Sequence, residues 1–277
     1  MLPRMVSYAG NFEDVLLRRA FAGQPAGFFI DVGAYDPVDG SVTKHFSQLG
    51  WRGINIEPDP APFARLVADR PNDINLNLAL SDSEGTLRLY TAEGAAHPSV
   101  DRNLITGWFG ARPEDVREIE LPATTLAAVC EAHVPPGQAI DFLKVDVESH
   151  EYEVLLGNDW DRWRPRVLIV ESSAPERWEP ALSAARYHFT LFDGINRVYV
   201  RGEDAHLIPL LSVPVNQTDN FDIFGYAHQI ADLTHRLDTY RQIGPRALHV
   251  ARWLHDRAER HPRLASIARQ WLGRAAG

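Results

Sequence analysis

Apolar runs that close on an acid or a glycine recur along this chain, and segments with helical spacing lie between them. Gly27-Phe-Phe-Ile-Asp-Val-Gly33 is one such run, and it predicts a buried parallel strand entering a turn. Residues 53–57 (Gly-Ile-Asn-Ile-Glu) predict a second strand ending on an acid, 74–80 a third and 86–90 a further one. Ile140-Asp-Phe-Leu-Lys-Val-Asp146 and Arg166-Val-Leu-Ile-Val-Glu171 have the same form, each closing on a carboxylate. Residues 189–200 predict two strands around Asp193-Gly194, a strong hairpin cue. Helices are predicted over 11–20, 41–49, 62–69, 125–133, 150–157 and 178–186. The first of these has Asn11 as a cap, acids in its opening turn and arginines in its last. Residues 91–120 read as irregular.

Strands alternating with helices imply an α/β fold with a mostly parallel sheet, which the hairpin ends on an antiparallel pair. A six-stranded dinucleotide-binding sheet would end on parallel strands instead. Beyond residue 224 the pattern changes. Ile230, Leu233, Leu237, Leu248, Val250, Trp253 and Leu254 recur at helical spacing, with Gly244-Pro245 as a break. Two regions are expected: 1–224 carrying the sheet, and 225–277 as a helical C-terminal extension.

A length of 277 residues suits one sizeable α/β domain with such an appendage. No segment approaches the roughly 20 apolar residues of a membrane span, and the opening Met-Leu-Pro-Arg-Met-Val-Ser-Tyr lacks the apolar core of a signal peptide. Cys130 is the only cysteine, so no internal disulfide can form; a cytoplasmic location is expected. The net charge of −9 divides unevenly, with residues 225–277 at +5 and the remainder at −14. An acidic body argues against nucleic acid as partner, because phosphate contacts need a basic face. The basic, amphipathic tail is a candidate for homodimer contact or peripheral membrane contact, or is simply a solvated face.

In an open α/β sheet, ligands bind beyond the carboxyl ends of the strands. Four acids fall there: Asp31, Glu57, Asp146 and Glu171. Glu57, ending the second strand, suits the two hydroxyls of a ribose. Gly33 lets the backbone approach a ligand, and Asp31 would face a ligand amino group. A nicotinamide dinucleotide would use the same pattern, but Asp31-Val-Gly-Ala-Tyr-Asp-Pro-Val-Asp-Gly40 lacks the Gly-x-Gly-x-x-Gly that seats a pyrophosphate. A ligand without phosphates fits better.

Taken in order, these motifs resemble the FkbM family of methyltransferases from about Ser7 to Phe224. The likeness is carried by Ser7-Tyr-Ala-Gly-Asn-Phe-Glu-Asp14, Gly27-Phe-Phe-Ile-Asp-Val-Gly-Ala34 with Asp36-Pro37, and Ser41-Val-Thr43. It continues through Gly50-Trp-Arg-Gly-Ile-Asn-Ile-Glu-Pro58, Phe142-Leu-Lys-Val-Asp-Val-Glu148 and Phe192-Asp-Gly-Ile-Asn-Arg197. The resemblance implies a class I methyltransferase Rossmann-like fold with a seven-stranded sheet, and S-adenosylmethionine as methyl donor. It also implies O-methylation of a small-molecule or glycan acceptor, since many relatives act on sugars or secondary metabolites. The expected donor-binding set is Asp31, Gly33, Ala34, Tyr35, Glu57, Pro58, Ser81, Asp82 and Asp146. The chain departs from the family at Gly10, where Gln is usual, at Tyr35, where Asn is usual, and at Ser149, where Gly follows the acid.

Transfer to a hydroxyl needs alignment, exclusion of water and a proton acceptor. The catalytic set read for this is Asp146, Glu148, His150 and Glu171, with His150 or Asp146 as the base. Asp146 and Glu171 also suit a divalent cation, and no metal ligands are assigned. Asn196 and Arg197 follow the hairpin turn and either touch a polar acceptor or stabilise the turn. Glu13 and Asp14 are read as stabilising the first helix; His97, Trp108 and Phe109 lie on a loop that would stack on a sugar or pack inward. The competing functions are a nicotinamide-dependent oxidoreductase, a sugar-nucleotide glycosyltransferase, for which no convincing Asp-x-Asp appears, and a non-catalytic binding protein.

Overall fold

Strand residues are apolar on both faces here, so the sheet they build must be covered on both sides. The computed structural model describes residues 3–92, 98–108, 110–226 and 233–234. In chain order it opens with β1 (Met5–Ser7), α1 (Glu13–Ala20), β2 (Phe28–Val32), α2 (Lys44–Gln48), β3 (Arg52–Ile56) and α3 (Pro60–Asp69). It continues with β4 (Ile74–Leu76), β5 (Ala79–Ser81), β6 (Gly85–Thr91), β7 (Arg117–Thr125), α4 (Leu126–His133), β8 (Phe142–Val145) and α5 (Glu151–Leu156). The series closes with β9 (Val167–Glu171), α6 (Glu179–Ala184), β10 (Tyr187–Phe192), β11 (Asn196–Arg201), α7 (Ile208–Leu211) and β12 (Phe221–Ile223).

Seven strands form the main sheet in the order β10-β11-β9-β8-β2-β3-β4. The pairs from β9 to β4 are parallel, and only β11 runs against its neighbours. This largely parallel seven-stranded sheet with an inserted antiparallel strand is the class I methyltransferase arrangement. Ile30, Ile54, Leu143 and Leu168 pack on one face beneath Leu126, Val154, Leu155 and Leu182 of α4, α5 and α6. Phe29, Phe142, Ile169 and Val198 pack on the other beneath Leu16, Leu17, Phe46 and Leu211. The strand order reverses between β2 and β8, so the switch-point crevice opens beyond their carboxyl ends.

Several expectations are corrected. The expected strand over 74–80 is two strands in two sheets. Between them, the Asn77 side chain donates to the carbonyls of Glu57 and Pro58, 2.9 Å each, which ends the pairing with β3. β5 joins a separate three-stranded sheet, β5-β7-β6. β7 begins within the stretch read as irregular and runs on to Thr125 through residues 121–124, given no element, because Pro122 and the exposed charges of Arg117, Glu118 and Glu120 obscure its alternation. Asn11 does not cap α1; the cap position is Phe12, at φ +66, with no side-chain bond. β1 and β12 were not expected, and they pair in parallel from Met5 with Phe221 to Ser7 with Ile223.

The chain divides at Phe224 into the units Met1–Phe224 and Gly225–Gly277. The tail helices expected from sequence lie almost wholly outside the described residues, as do His97, Phe109 and the Trp108 side chain. Among the described residues no helix is long and apolar enough to cross a membrane.

Candidate functional site

The turn after β2 is set by one close approach. Gly33 has φ +78, and a Cβ there would stand 1.8 Å from the Asp146 backbone oxygen. Glycine is therefore required for the turn to pack on the end of β8, rather than only for a ligand to approach. The N–H groups of Gly33 and Ala34 both donate to the Ile56 carbonyl, at 3.0 and 3.1 Å. Tyr35 follows at φ +45, and its N–H donates to Glu57 Oε2 at 2.8 Å. The Asp59 N–H donates to Glu57 Oε1 at 2.7 Å. Glu57 is 2% exposed, and desolvation raises its pKa to about 7 despite those two bonds.

A cavity of about 480 Å³ opens at this turn, within the roughly 300–1,000 Å³ of small-molecule sites. Its apolar lining includes Ile56, Leu78, Ala79 and Leu80 with Leu87, Leu89, Pro98 and Val100. Its polar lining includes Glu13, Lys144, Asp146, Glu148, His150 and Asn196. Asp36, Asp39 and Glu57 complete a charged lining in which Lys144 is the one lysine or arginine among the described residues.

Beneath the cavity a polar chain ties the elements together. The Arg70 side chain is 1% exposed and donates to the Pro37 carbonyl at 2.7 Å, Ser41 Oγ at 3.1 Å and Thr43 Oγ1 at 3.2 Å. Thr43 donates to Asp31 Oδ2 at 3.0 Å. Lys144 Nζ lies 3.5 Å from Asp31 Oδ1 and 3.4 Å from Asp146 Oδ2, and donates to the Gly33 carbonyl at 2.8 Å. Burial works against the Lys144 ammonium, but Asp146 and Asp31 more than offset it and hold its pKa above the usual lysine value.

At the end of β8, Glu148 and Ser149 take φ +55 and φ +83. Buried Glu151 holds this bend, accepting the N–H groups of Val147 at 3.0 Å and Ser149 at 3.2 Å together with the Ser173 hydroxyl. The Glu148 carboxylate has no hydrogen bond or ion pair among the described residues. Desolvation, then Asp146 and Glu151, raise its pKa to about 7. His150 Nε2 lies 3.1 Å from Ser81 Oγ, within hydrogen-bond reach, and Nδ1 lies 3.4 Å from Glu153 Oε2 without a hydrogen bond; burial lowers the His150 pKa.

Of the residues expected from sequence, Gly33, Ala34, Tyr35, Glu57, Pro58, Asp146, Glu148 and His150 line the cavity. Asp31, Ser81, Asp82 and Glu171 do not. Asp31 lies in the polar chain below, Ser81 contacts His150 and Asp82, and Glu171 closes β9 with its pKa raised by burial and by Asp146. Arg197 is drawn off to Glu179 at 2.8 Å and Ser172 at 3.1 Å. Lys144 and Arg70 received no role from sequence. Lys144 stands in the middle of an apolar strand in a chain with only two lysines, and that was the signal available. Among the described residues no group of three or more His, Cys, Asp or Glu is arranged to hold a metal ion.

A family model described as the methyltransferase FkbM domain matches residues 31–201. No curated protein matches the chain. Solved structures with some likeness include a TehB-like SAM-dependent methyltransferase from Corynebacterium glutamicum, at 10% identity and TM-score 0.35, covering 68% of this chain and 87% of that one. A fibrillarin pre-rRNA processing protein from Methanococcus jannaschii matches at 12% identity and TM-score 0.35, covering 64% and 67%. A putative RNA methyltransferase from Pyrococcus horikoshii matches at 11% identity and TM-score 0.32, covering 68% and 81%.

Proposed function

The chain belongs to the methyltransferase FkbM domain family and is an S-adenosylmethionine-dependent methyltransferase, and we propose that it methylates a hydroxyl of a sugar, glycoconjugate or secondary metabolite. The observation that carries this reading is the cavity at the switch point, whose lining combines apolar side chains with Glu57, Glu148 and other hydrogen-bonding groups.

The residues present fit the donor. Each Glu57 oxygen accepts one backbone N–H and keeps a second lone pair for a ribose hydroxyl. The apolar side chains of Ile56, Leu78, Ala79 and Leu80 in the same cavity suit a purine face, and the mostly acidic charged lining suits a cation. The same acids oppose the diphosphate of a nicotinamide dinucleotide or a sugar nucleotide, and family membership sets those readings aside.

S-adenosylmethionine, when bound, supplies a methyl group carried on a positively charged sulfur. Transfer forms an oxygen–carbon bond as the carbon–sulfur bond breaks, and the acceptor hydroxyl loses its proton. In this reading Glu148 takes that proton. It lines the cavity, its carboxylate is free of partners among the described residues, and a pKa near 7 matches the working pH of a general base. His150 serves as a link between α5 and β5, and Lys144 stays an ammonium that fixes Asp146 and the Gly33 turn. The hydrogen-bonding side chains of Glu13, Glu148, His150 and Asn196 in the lining favour a hydroxylated acceptor over an apolar one.

Calorimetric titration with S-adenosylhomocysteine tests the donor half: micromolar binding is expected for the wild type, weakened about tenfold or more in Glu57→Ala. Negligible heat in both proteins would end the reading. Glu148→Gln is expected to lower turnover about tenfold or more while homocysteine-product binding persists; unchanged turnover removes Glu148 from proton transfer.

A further inference from the structure

The cavity lining holds an amide whose orientation is set by its neighbours. Asn196 opens β11, lines the cavity and is 3% exposed. Its Nδ2 donates to Glu13 Oε1 at 2.7 Å and to Asp193 Oδ2 at 3.3 Å. Both neighbours are carboxylates, and an ionised carboxylate only accepts hydrogen bonds, which turns the NH₂ half toward them. The amide oxygen is thereby turned the other way. It accepts no hydrogen bond among the described residues, yet it is not one of the sealed polar atoms left without a partner, so it keeps some accessible surface in a residue that lines the cavity.

The two carboxylates are themselves held. Glu13 Oε2 accepts the Asn11 N–H at 3.0 Å, and Asp193 Oδ1 accepts the N–H groups of Ile195 at 2.9 Å and Asn196 at 2.6 Å. The hairpin turn and the start of α1, elements far apart in sequence, are thus joined around one accessible acceptor atom. A hairpin needing only a stable turn would be served by Asp193 alone. The contact to Glu13 ties the amide to the start of α1 as well.

We propose that Asn196 is a specificity-determining binding residue whose amide oxygen receives a second hydroxyl of the acceptor, next to the hydroxyl that is methylated. The inference rests on the hydroxyl-methylation reading above and narrows it to acceptors with at least two hydrogen-bond donors. A buried acceptor atom that meets no donor rejects an analogue lacking one, because the protein atom is then left unpaired.

The test uses the full chain, tritiated S-adenosylmethionine, and a panel of methyl glycosides with their monodeoxy counterparts. The wild type is expected to label a glycoside and to prefer it over one deoxy counterpart by about tenfold or more in kcat/KM. Asn196→Ala is expected to lose that preference, with the change in KM, while binding S-adenosylhomocysteine within about twofold of wild type. Preference retained in Asn196→Ala overturns the proposal, as does an equal loss of homocysteine-product binding, which marks a merely structural residue. Asn196→Ser is the second variant should Asn196→Ala fail to fold. Its shorter side chain withdraws the acceptor atom, so the preference should fall about threefold or more, and an unchanged preference overturns the proposal. Wild type that labels no glycoside defeats the hydroxyl reading itself, an outcome distinct from either variant result.

Discussion

Ser149 carries backbone strain at the edge of the site. Its φ of +83 follows Glu148 at +55, two adjacent residues with a Cβ in the left-handed region. The bend persists because other groups over-determine it: Glu151 binds it from below, and Ser99 Oγ donates to the Glu148 carbonyl at 2.8 Å. A left-handed residue with a Cβ costs about 1–2 kcal/mol, offset in part by the greater chain entropy glycine loses on folding. Ser149→Gly is therefore expected to stabilise the protein by about 0.5–1 kcal/mol, read as a higher urea midpoint at unchanged slope. At this scale the sequence was partly legible. Ser149 stood out as a departure from the family's glycine, but the strain itself depends on a dihedral angle no sequence prints. His150 looked like a base because histidine titrates near neutrality; its ring nitrogens lie near Ser81, far along the chain, and near Glu153.

Among the elements, the turn after β2 depends on a residue from the end of α3. Arg70 holds the loop through the Pro37 carbonyl, Ser41 and Thr43, and Thr43 passes the connection to Asp31 and so to Lys144. Breaking such a buried charged network costs about 3–5 kcal/mol. Arg70→Ala is expected to lose stability of that order in chemical denaturation and to weaken S-adenosylhomocysteine binding, since the loop carrying Asp36 and Asp39 lines the cavity. The central strands were legible because burial on both faces leaves continuous apolar runs, as in Phe28–Val32 and Val167–Glu171. The break at Asn77 was not, because the carbonyls it satisfies belong to Glu57 and Pro58 on another segment. Asp31 illustrates the same limit. Its position at a strand end was readable, but which side of the floor its carboxylate takes was decided by Thr43 and Lys144.

For the whole molecule, the sheet gathers acids at one end and provides few cations to balance them. Desolvation raises Asp14 to about 6 and Glu13, Glu57 and Glu148 to about 7, and raises Glu171 as well. Each of these groups binds its proton more tightly in the folded chain than in the unfolded one. Their stabilising contribution is thus complete below the ordinary carboxylate value near 4 and is lost as pH rises through the folded values of 6–7. Thermal stability of the ligand-free protein should accordingly fall from pH 5.5 to 8.5, opposite to a domain whose carboxylates are mostly paired. Calorimetric melts across that interval check it, and Glu57→Gln should flatten part of the decline by removing one contributor. A melting temperature that rises steadily toward pH 8.5 would mean these carboxylates are already ionised at little cost. The acid-lined cavity would then give no electrostatic reason to favour a cationic donor over a neutral one.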